Sequence, residues 1–253
     1  MIDPLDRTNK TEAPSSKDDE TSNPAPNPAP QPPIEEQEQA ENTKAFDDSH
    51  PDDRFNKVVQ GDEVSLQDLS SSLKKFTIGV GWDLIGFDES AADLDVSLFL
   101  LNKNDMTRDD DDFIFYKNLQ NQDESVIHTG DSRSGAGSGD DEQIIVDLTK
   151  ISFNVSKIMV TLTIHDPENK EYTFKNVRNV YMRIEDNDTE RELFRYFLDE
   201  ELHKKSEEGG LTNALYIGCF ERDSNNWIFK ALGETDEGGL GKIATKYGMV
   251  IVG

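Results

Sequence analysis

Short apolar runs separated by turn-forming residues recur along the chain from about Val58 onward. The runs are four to eight residues long and rich in Val, Ile, Phe, Tyr and Thr, the residues that favour extended strands. We predict strands over residues 76–82, 94–101, 113–116, 143–148, 157–164, 177–184, 192–198, 214–220 and 227–232. Many short strands at such spacing predict a mainly β fold, an antiparallel β-sandwich. A few short helices complete it, at residues 66–73 and 239–249.

The prolines set the N-terminal segment apart, because nine of the ten lie at or before Pro51. Residues 21–33, TSNPAPNPAPQPP, favour polyproline II, and few large apolar side chains occur before residue 58. We therefore predict that residues 1–57 form a disordered Pro/acid-rich tail and that residues 58–253 form one domain. The tail is interpreted as a spacer. A docking segment for a polyproline-reading partner is the alternative, although no basic-flanked PxxP motif is present.

The charge balance limits the possible partners, since the formal net charge is −26. Such a chain repels nucleic-acid phosphates and anionic lipid surfaces and attracts cations. The N-terminus lacks the basic and apolar regions of a secretory signal, and no run approaches the roughly 18 apolar residues of a membrane span. We expect a cytoplasmic protein with no nucleic acid partner and no direct membrane insertion.

Acidic residues are concentrated between positions 83 and 147, a stretch that contains 17 acidic and 4 basic residues. Within this stretch, Asp93 to Leu100 read as a strand with alternating faces. Strand periodicity places Leu94, Val96, Leu98 and Leu100 on one face and Asp93, Asp95 and Ser97 on the other. The two carboxylates are then close enough to favour a cation beside them. A strand with one solvated polar face is the simpler alternative.

A glycine-rich acidic segment from His128 to Glu142 is the second candidate for cation binding. Glycines let a loop turn sharply and present carbonyl oxygens, and calcium takes six to eight oxygen ligands. Asp140, Asp141 and Glu142 are adjacent and are expected to repel one another without a counterion. The segment matches neither an EF-hand nor a phosphate-binding P-loop. We interpret it as a calcium-binding loop, with a solvated acidic face as the alternative.

Several motifs together resemble the TerD family of tellurium-resistance and stress-response proteins. They are Gly81-Trp82-Asp83, the Asp93–Leu101 run, Asp112-Phe113-Ile114-Phe115-Tyr116, His128-Thr129-Gly130-Asp131, Gly139-Asp140-Asp141-Glu142 with Val146-Asp147-Leu148, and Thr163-Ile164-His165-Asp166. The resemblance extends from about Val64 to the C-terminus. It implies a β-sandwich that binds calcium (Ca²⁺). The metal ligands it implies are Asp93, Asp95, Asn118, Asp131, Asp140, Asp141 and Glu142.

The chain departs from the family pattern at three positions near this site. Lys117 replaces an Asn and brings a cation close, while Ser132 and Ser138 stand where the family has other polar residues. His128 and His165 are expected to brace the acidic loops through hydrogen bonds. Arg183 is expected to form ordinary surface ion pairs.

These observations predict a non-enzymatic, calcium-binding stress-response module, associated with tellurium or chemical-stress resistance, whose ordered loops serve as an interaction scaffold. Its expected partners are the calcium ion and other tellurium-resistance or stress-response proteins. Direct reduction of a tellurium oxyanion is not expected, because the single cysteine, Cys219, falls in a predicted buried strand. Two alternatives remain: a metal-dependent enzyme that binds nucleotides or phosphoesters, and an acidic adaptor that needs no metal.

Overall fold

The computed structural model describes residues 56–85, 93–131, 139–165, 173–202 and 212–249. The chain divides into two units, Met1–His50 and Pro51–Gly253, and all described residues belong to the second. The predicted tail therefore lies outside the described residues except for Asn56 and Lys57. Within the described residues, no helix is long and apolar enough to cross a membrane.

The described strands form two six-stranded sheets. The first sheet has the order β1-β10-β9-β3-β7-β6 and the second β2-β12-β11-β8-β4-β5. The strands are β1 (Asn56–Val58), β2 (Glu63–Ser65), β3 (Lys75–Leu84), β4 (Leu94–Leu101), β5 (Phe113–Ile114), β6 (Val126–Asp131), β7 (Glu142–Asp147), β8 (Lys157–Ile164), β9 (Val177–Asp186), β10 (Arg191–Phe197), β11 (Ala214–Asp223) and β12 (Asn226–Asp236). β1 runs parallel to β10, and the other pairs between these strands are antiparallel. The predicted mainly β sandwich is confirmed.

Two apolar clusters hold the sheets in place. The larger cluster draws side chains from both sheets, among them Phe76, Val96 and Phe220, and so lies between them. The smaller one joins Phe99 and other second-sheet residues to the C-terminal helix, Gly239–Lys246. Leu94, Val96, Leu98 and Leu100 belong to the first cluster, whereas Phe99 and Leu101 belong to the second. The predicted alternation of β4 is therefore confirmed.

The register brings particular strand ends together at one end of the sandwich. In the first sheet, Val80 of β3 lies opposite Glu142 at the start of β7. In the second sheet, Leu94 at the start of β4 lies opposite Ile164 at the end of β8. A hydrogen bond from the Val96 amide to the Glu142 carboxylate joins the two sheets here. We call this the acidic end, defined by Asp93, Asp95, Asp140, Asp141 and Glu142.

The structure differs from the sequence prediction in several places. The strand predicted over 113–116 covers Phe113–Ile114 only, and the helix predicted over 239–249 ends at Lys246. Residues 126–131 form β6, an edge strand of the first sheet, whereas a loop was predicted from His128. The apolar signal of β6 is short, and its register with β7 shifts between His128 and Asp131. The strands β1 and β2 were not predicted, because each is three residues long. The helix predicted over 66–73 spans Leu66–Leu69 only.

Two truncations are expected to show where the N-terminal segment begins to contribute to the stability of the fold. β1 begins at Asn56, ahead of the predicted boundary at residue 58, and Val58 is buried against β10. Removing residues 1–55, which carry few large apolar side chains, should shift the melting temperature by less than about 2 °C. Removing residues 1–60 also deletes β1, and should lower it by about 4 °C or more. Equal melting temperatures for the two truncations would contradict this expectation.

Candidate metal centre

The predicted site residues come from separate elements that meet at the acidic end. Asp93 and Asp95 lie at the start of β4, and Asp140, Asp141 and Glu142 lie at the start of β7. Asn118 follows β5 in a tight turn, and Asp131 ends β6 opposite Glu142. The Asp131 side chain and residues 132–138, which include Ser132 and Ser138, lie outside the described part of the chain.

Asp95 is buried, with 4% of its surface exposed. One carboxylate oxygen contacts His165 Nδ1 at 2.9 Å, and the His165 backbone N–H donates to the Asp93 carbonyl at 2.7 Å. Burial and the nearby Glu142 charge together raise the pKa of Asp95 to about 6, although His165 opposes the rise. The raised pKa shows that the folded protein leaves the Asp95 negative charge under-compensated.

Glu142 is a second buried carboxylate, and one of its oxygens is unpaired. Its side chain is fully buried and faces the sandwich interior, together with Ile144 and Val146. One carboxylate oxygen accepts the Val96 N–H at 2.6 Å. The other, Oε1, is buried without a hydrogen-bond partner. A buried carboxylate oxygen left unpaired is costly, so this position favours a cation or another donor.

His128 lies close to Glu142 but does not supply the missing hydrogen bond to its carboxylate. Its Nδ1 accepts the Gly130 N–H at 3.1 Å, which places the proton of a neutral ring on Nε2. Nε2 faces the bonded Glu142 oxygen, Oε2, at 3.5 Å, beyond ordinary hydrogen-bond distance. The predicted hydrogen bonding to the acidic residues is therefore seen for His165, which contacts Asp95, whereas His128 bonds the Gly130 N–H and not Glu142.

Asp141 holds a bulge in β3. Its carboxylate accepts the Trp82 N–H at 2.7 Å, and its own N–H donates to the Val80 carbonyl at 2.8 Å. The β3–β9 register shifts between Gly81 and Asp83, which leaves the Trp82 amide available. Burial raises the pKa of Asp141 although the Trp82 N–H opposes it, and Asp83, Asp140 and Glu142 raise it further. Like Asp95, Asp141 lacks full compensation of its charge.

Asp140 differs from these acids because a protein cation already neutralises it. Arg183 of β9 donates to both carboxylate oxygens, with distances of 2.7 Å from Nε to Oδ1 and from Nη2 to Oδ2. Tyr181 and Gln143 donate to the same carboxylate at 3.1 and 2.9 Å. The surface pairing predicted for Arg183 is wrong, since the guanidinium meets a buried acid.

The remaining predicted residues lie at the margin of the cluster. Asp93 is exposed. The Asn118 side-chain amide donates to the Phe113 carbonyl at 2.7 Å and so holds the turn after β5. The exposed Lys117 lies over the Tyr116 ring at 5.2 Å, and that ring packs edge-on against His165 at 4.9 Å. Lys117 therefore contacts an aromatic ring near the site.

Calcium is the ion that the family resemblance implies for this set of oxygen donors. The described His, Cys, Asp and Glu side chains form no group of three or more that could hold a metal. Calcium, however, also takes carbonyl and water oxygens, and it prefers carboxylates among side chains. Glu142 Oε1 is buried without a partner and the Glu142 charge acts on Asp95, so a hard cation fits this position.

Sequence reasoning overlooked Arg183 and Tyr181 as the partners of Asp140. They lie more than forty residues from it along the chain, so local patterns give no indication of the contact. One signal was present in β3, where Gly79 and Gly81 leave part of one face of the strand without side chains. Glycines within a strand often mark a close approach by another group.

Cys219 is buried, as predicted. It is a free cysteine in the smaller apolar cluster. Burial, together with the nearby Glu221 charge, raises the pKa of its thiol to about 11. A thiol so far from deprotonation at neutral pH is a poor nucleophile.

Asp95 is expected to make the metal-free protein less stable as pH rises. Its pKa is about 6 in the folded state against 3.8 ordinarily, so the folded protein holds a proton that the unfolded chain has lost. Its stability contribution is favourable near pH 4 and is lost as pH rises through 6. Asp95→Asn removes the titrating carboxyl group, so the melting temperature of the variant minus that of wild type should increase between about pH 5 and pH 7. A constant difference over that range would contradict the raised pKa.

Two stacked, mainly antiparallel sheets with buried carboxylates at one end define a β-sandwich with a candidate cation site. The family model described as the TerD domain matches residues 56–247, and this chain belongs to that family. The family resemblance stated from the sequence motifs is therefore confirmed.

Relatives by sequence carry names that refer to tellurium resistance and stress. Tellurium resistance protein TerD of Serratia marcescens is 37% identical over 192 residues, which cover 76% of this chain and 96% of that protein. General stress protein 16U of Bacillus subtilis is 37% identical over 195 residues, which cover 77% of this chain and 97% of that protein. The chain is therefore a member of a tellurium-resistance and stress-response family.

A solved structure supports the fold independently. It is a homologue of telluride resistance protein (TerD) from Streptomyces coelicolor A3(2), with a TM-score of 0.56 and 19% sequence identity. The match covers 71% of this chain and 100% of that chain. At this level of identity the likeness concerns the fold alone.

Proposed function

We propose that this protein is a non-enzymatic, calcium-binding stress-response module that acts in the cytoplasm. The observation that supports the proposal is the buried Glu142 Oε1, which has no hydrogen-bond partner and lies near the under-compensated Asp95. A divalent cation here would offset both charges. Asp95 and Glu142 are the proposed core ligands, with Asp93, Asn118, Asp131 and Asp141 as further oxygen donors.

Calcium would supply positive charge and hold together segments that belong to different sheets. Asp95 belongs to β4 of the second sheet, and Glu142 belongs to β7 of the first. A cation bound by both carboxylates would tie the sheets where the Val96–Glu142 hydrogen bond already joins them. The acidic end would then present a more ordered surface to other tellurium-resistance or stress-response proteins.

Titration calorimetry of the metal-free full-length chain with calcium and with magnesium tests this proposal. We expect calcium to bind more tightly than magnesium, because a protein-built oxygen cage suits the larger ion better. Calcium at about 100 times its Kd should add about 2.7 kcal/mol to the free energy of unfolding. The absence of both binding heat and a thermal shift at millimolar calcium would overturn the proposal.

Catalytic assays separate this proposal from an enzymatic role. Nucleotides and phosphoesters should be recovered intact after incubation with the calcium-loaded protein. Metal-dependent hydrolysis by the wild-type protein, abolished in Asp95→Asn, would contradict the non-enzymatic role. The proposal that the protein binds calcium would still stand.

A further inference from the structure

Asp140 is enclosed on the outer face of the first sheet. Its side chain is fully buried, and it accepts hydrogen bonds from Arg183, Tyr181 and Gln143. Arg183 is itself only 17% exposed in its side chain. The bidentate pairing fixes both the position and the orientation of the carboxylate.

Two glycines in β3 make room for this arrangement. Gly79 lies opposite Arg183 and Gly81 opposite Tyr181 in the β3–β9 register. A Cβ atom on Gly79 would overlap the Asp140 carboxylate, and one on Gly81 would lie 2.6 Å from the Tyr181 ring. The Asp140 carboxylate and the Tyr181 ring therefore pack directly on the backbone of β3 at Gly79 and Gly81.

A second arginine covers the arrangement from outside. The Arg195 guanidinium stacks on the Tyr181 ring at 4.5 Å and forms two hydrogen bonds of 2.7 Å with Glu192. Burial and the Asp140 charge raise the pKa of Tyr181 above its usual range, so the hydroxyl stays a donor to Asp140. Asp140 is thus held by Arg183 and Tyr181 of β9, and Arg195 of β10 packs on Tyr181 in turn.

We infer that Asp140 is a positioning residue, and that its pairing with Arg183 clasps the start of β7 onto β3. Asp140 directly precedes Asp141 and Glu142. With Asp140 fixed over Gly79, the Asp141 carboxylate reaches the Trp82 N–H and the Glu142 carboxylate reaches the Val96 N–H. The clasp therefore sets where these two carboxylates lie. The expected effect of the clasp on calcium affinity rests on the proposed function. The clasp itself is a contact of the metal-free fold.

Removal of Arg183 distinguishes a clasp from a direct ligand. If Asp140 bound calcium directly, Arg183 would compete with the metal, and Arg183→Gln would leave calcium binding unchanged or stronger. If Asp140 acts as a clasp, then Arg183→Gln and Asp140→Asn each loosen the same segment and weaken binding. Two residues acting through one contact also give non-additive effects, so the double variant should lose little more than either single variant.

Calcium affinity is measured for wild type, Asp140→Asn, Arg183→Gln and the double variant of the full-length chain. We expect each single variant to raise the Kd by about tenfold, which is typical when a group that orients a metal ligand is lost. Gly79→Ala displaces the carboxylate without changing any charge and should have a similar effect. Arg178→Gln is the matched control, because Arg178 lies on the same strand with a 61% exposed side chain.

Amide hydrogen exchange in the metal-free protein tests the clasp without calcium. The Trp82 and Val96 amides should exchange about tenfold faster in Asp140→Asn and Arg183→Gln than in wild type. The Phe220 amide, in the central part of β11 and the main core, should be unchanged, which separates local loosening from global destabilisation.

The outcomes are distinguishable. Loss of binding in Asp140→Asn with normal or tighter binding in Arg183→Gln would make Asp140 a ligand and overturn the clasp. A wild-type protein that binds no calcium would overturn the proposed function, and the exchange data then decide on the clasp alone. Unchanged exchange at Trp82 and Val96 in both variants would overturn it.

Discussion

Asp95→Ala is expected to weaken calcium binding by about tenfold or more, which corresponds to about 1.4 kcal/mol or more of binding free energy. The variant removes a charged oxygen donor that is buried and lies near the unpaired Glu142 oxygen. The metal-free fold should remain intact by circular dichroism. Removing a carboxylate whose pKa burial has raised to about 6 also relieves an unfavourable charge at neutral pH.

The matched control is Asp110→Asn, which removes a negative charge from an exposed position in the 110–112 turn. Its calcium affinity should stay within about twofold of wild type, because exposed charges at a distance are screened. Equal losses of calcium affinity in Asp95→Ala and Asp110→Asn would show that binding depends on net charge rather than on a defined site.

Val96→Ala is expected to lower the free energy of unfolding by about 1–3 kcal/mol, through lost burial and the cavity it leaves. Val96 is 1% exposed and belongs to the cluster between the sheets, on the strand face opposite Asp95. Urea unfolding measures the change. Calcium affinity in the folded fraction should stay close to wild type, since the Val96 N–H that holds Glu142 belongs to the backbone.

Val59→Ala provides the comparison, because Val59 is 52% exposed and the substitution is chemically identical. It should change stability by no more than about 0.5 kcal/mol. If Asp95→Ala unfolded the metal-free domain while Val96→Ala was harmless, the two faces of β4 would be reversed and the proposed site would lose one wall.

The strand pattern could be predicted because it follows local rules. All nine predicted apolar runs overlap strands, although only half of the 113–116 run does so, and the two faces of β4 follow from a period of two. The C-terminal helix was also predicted, from the GLGKIATKYGM segment. Trp82 and Trp227 are buried, as expected for tryptophans within apolar runs.

The organisation of the acidic end could not be predicted in the same way. Three adjacent acids at 140–142 suggested mutual repulsion, but their side chains separate to different neighbours. Asp140 turns outward to Arg183, Asp141 holds the Trp82 amide, and Glu142 turns into the sandwich. These contacts depend on strand pairing between distant segments. The glycine-rich composition likewise concealed β6, whose pairing with β7 places His128 near Glu142.

A crystal structure of the full-length protein grown with calcium tests the central claim most directly. The account predicts anomalous density for an ion at the acidic end, with carboxylate oxygens of Asp95 and Glu142 at about 2.3–2.6 Å and six to eight oxygen ligands in total. The Asp140–Arg183 pair should persist beside the ion. An ion bound elsewhere, or an acidic end that remains free of metal at saturating calcium, would contradict the account.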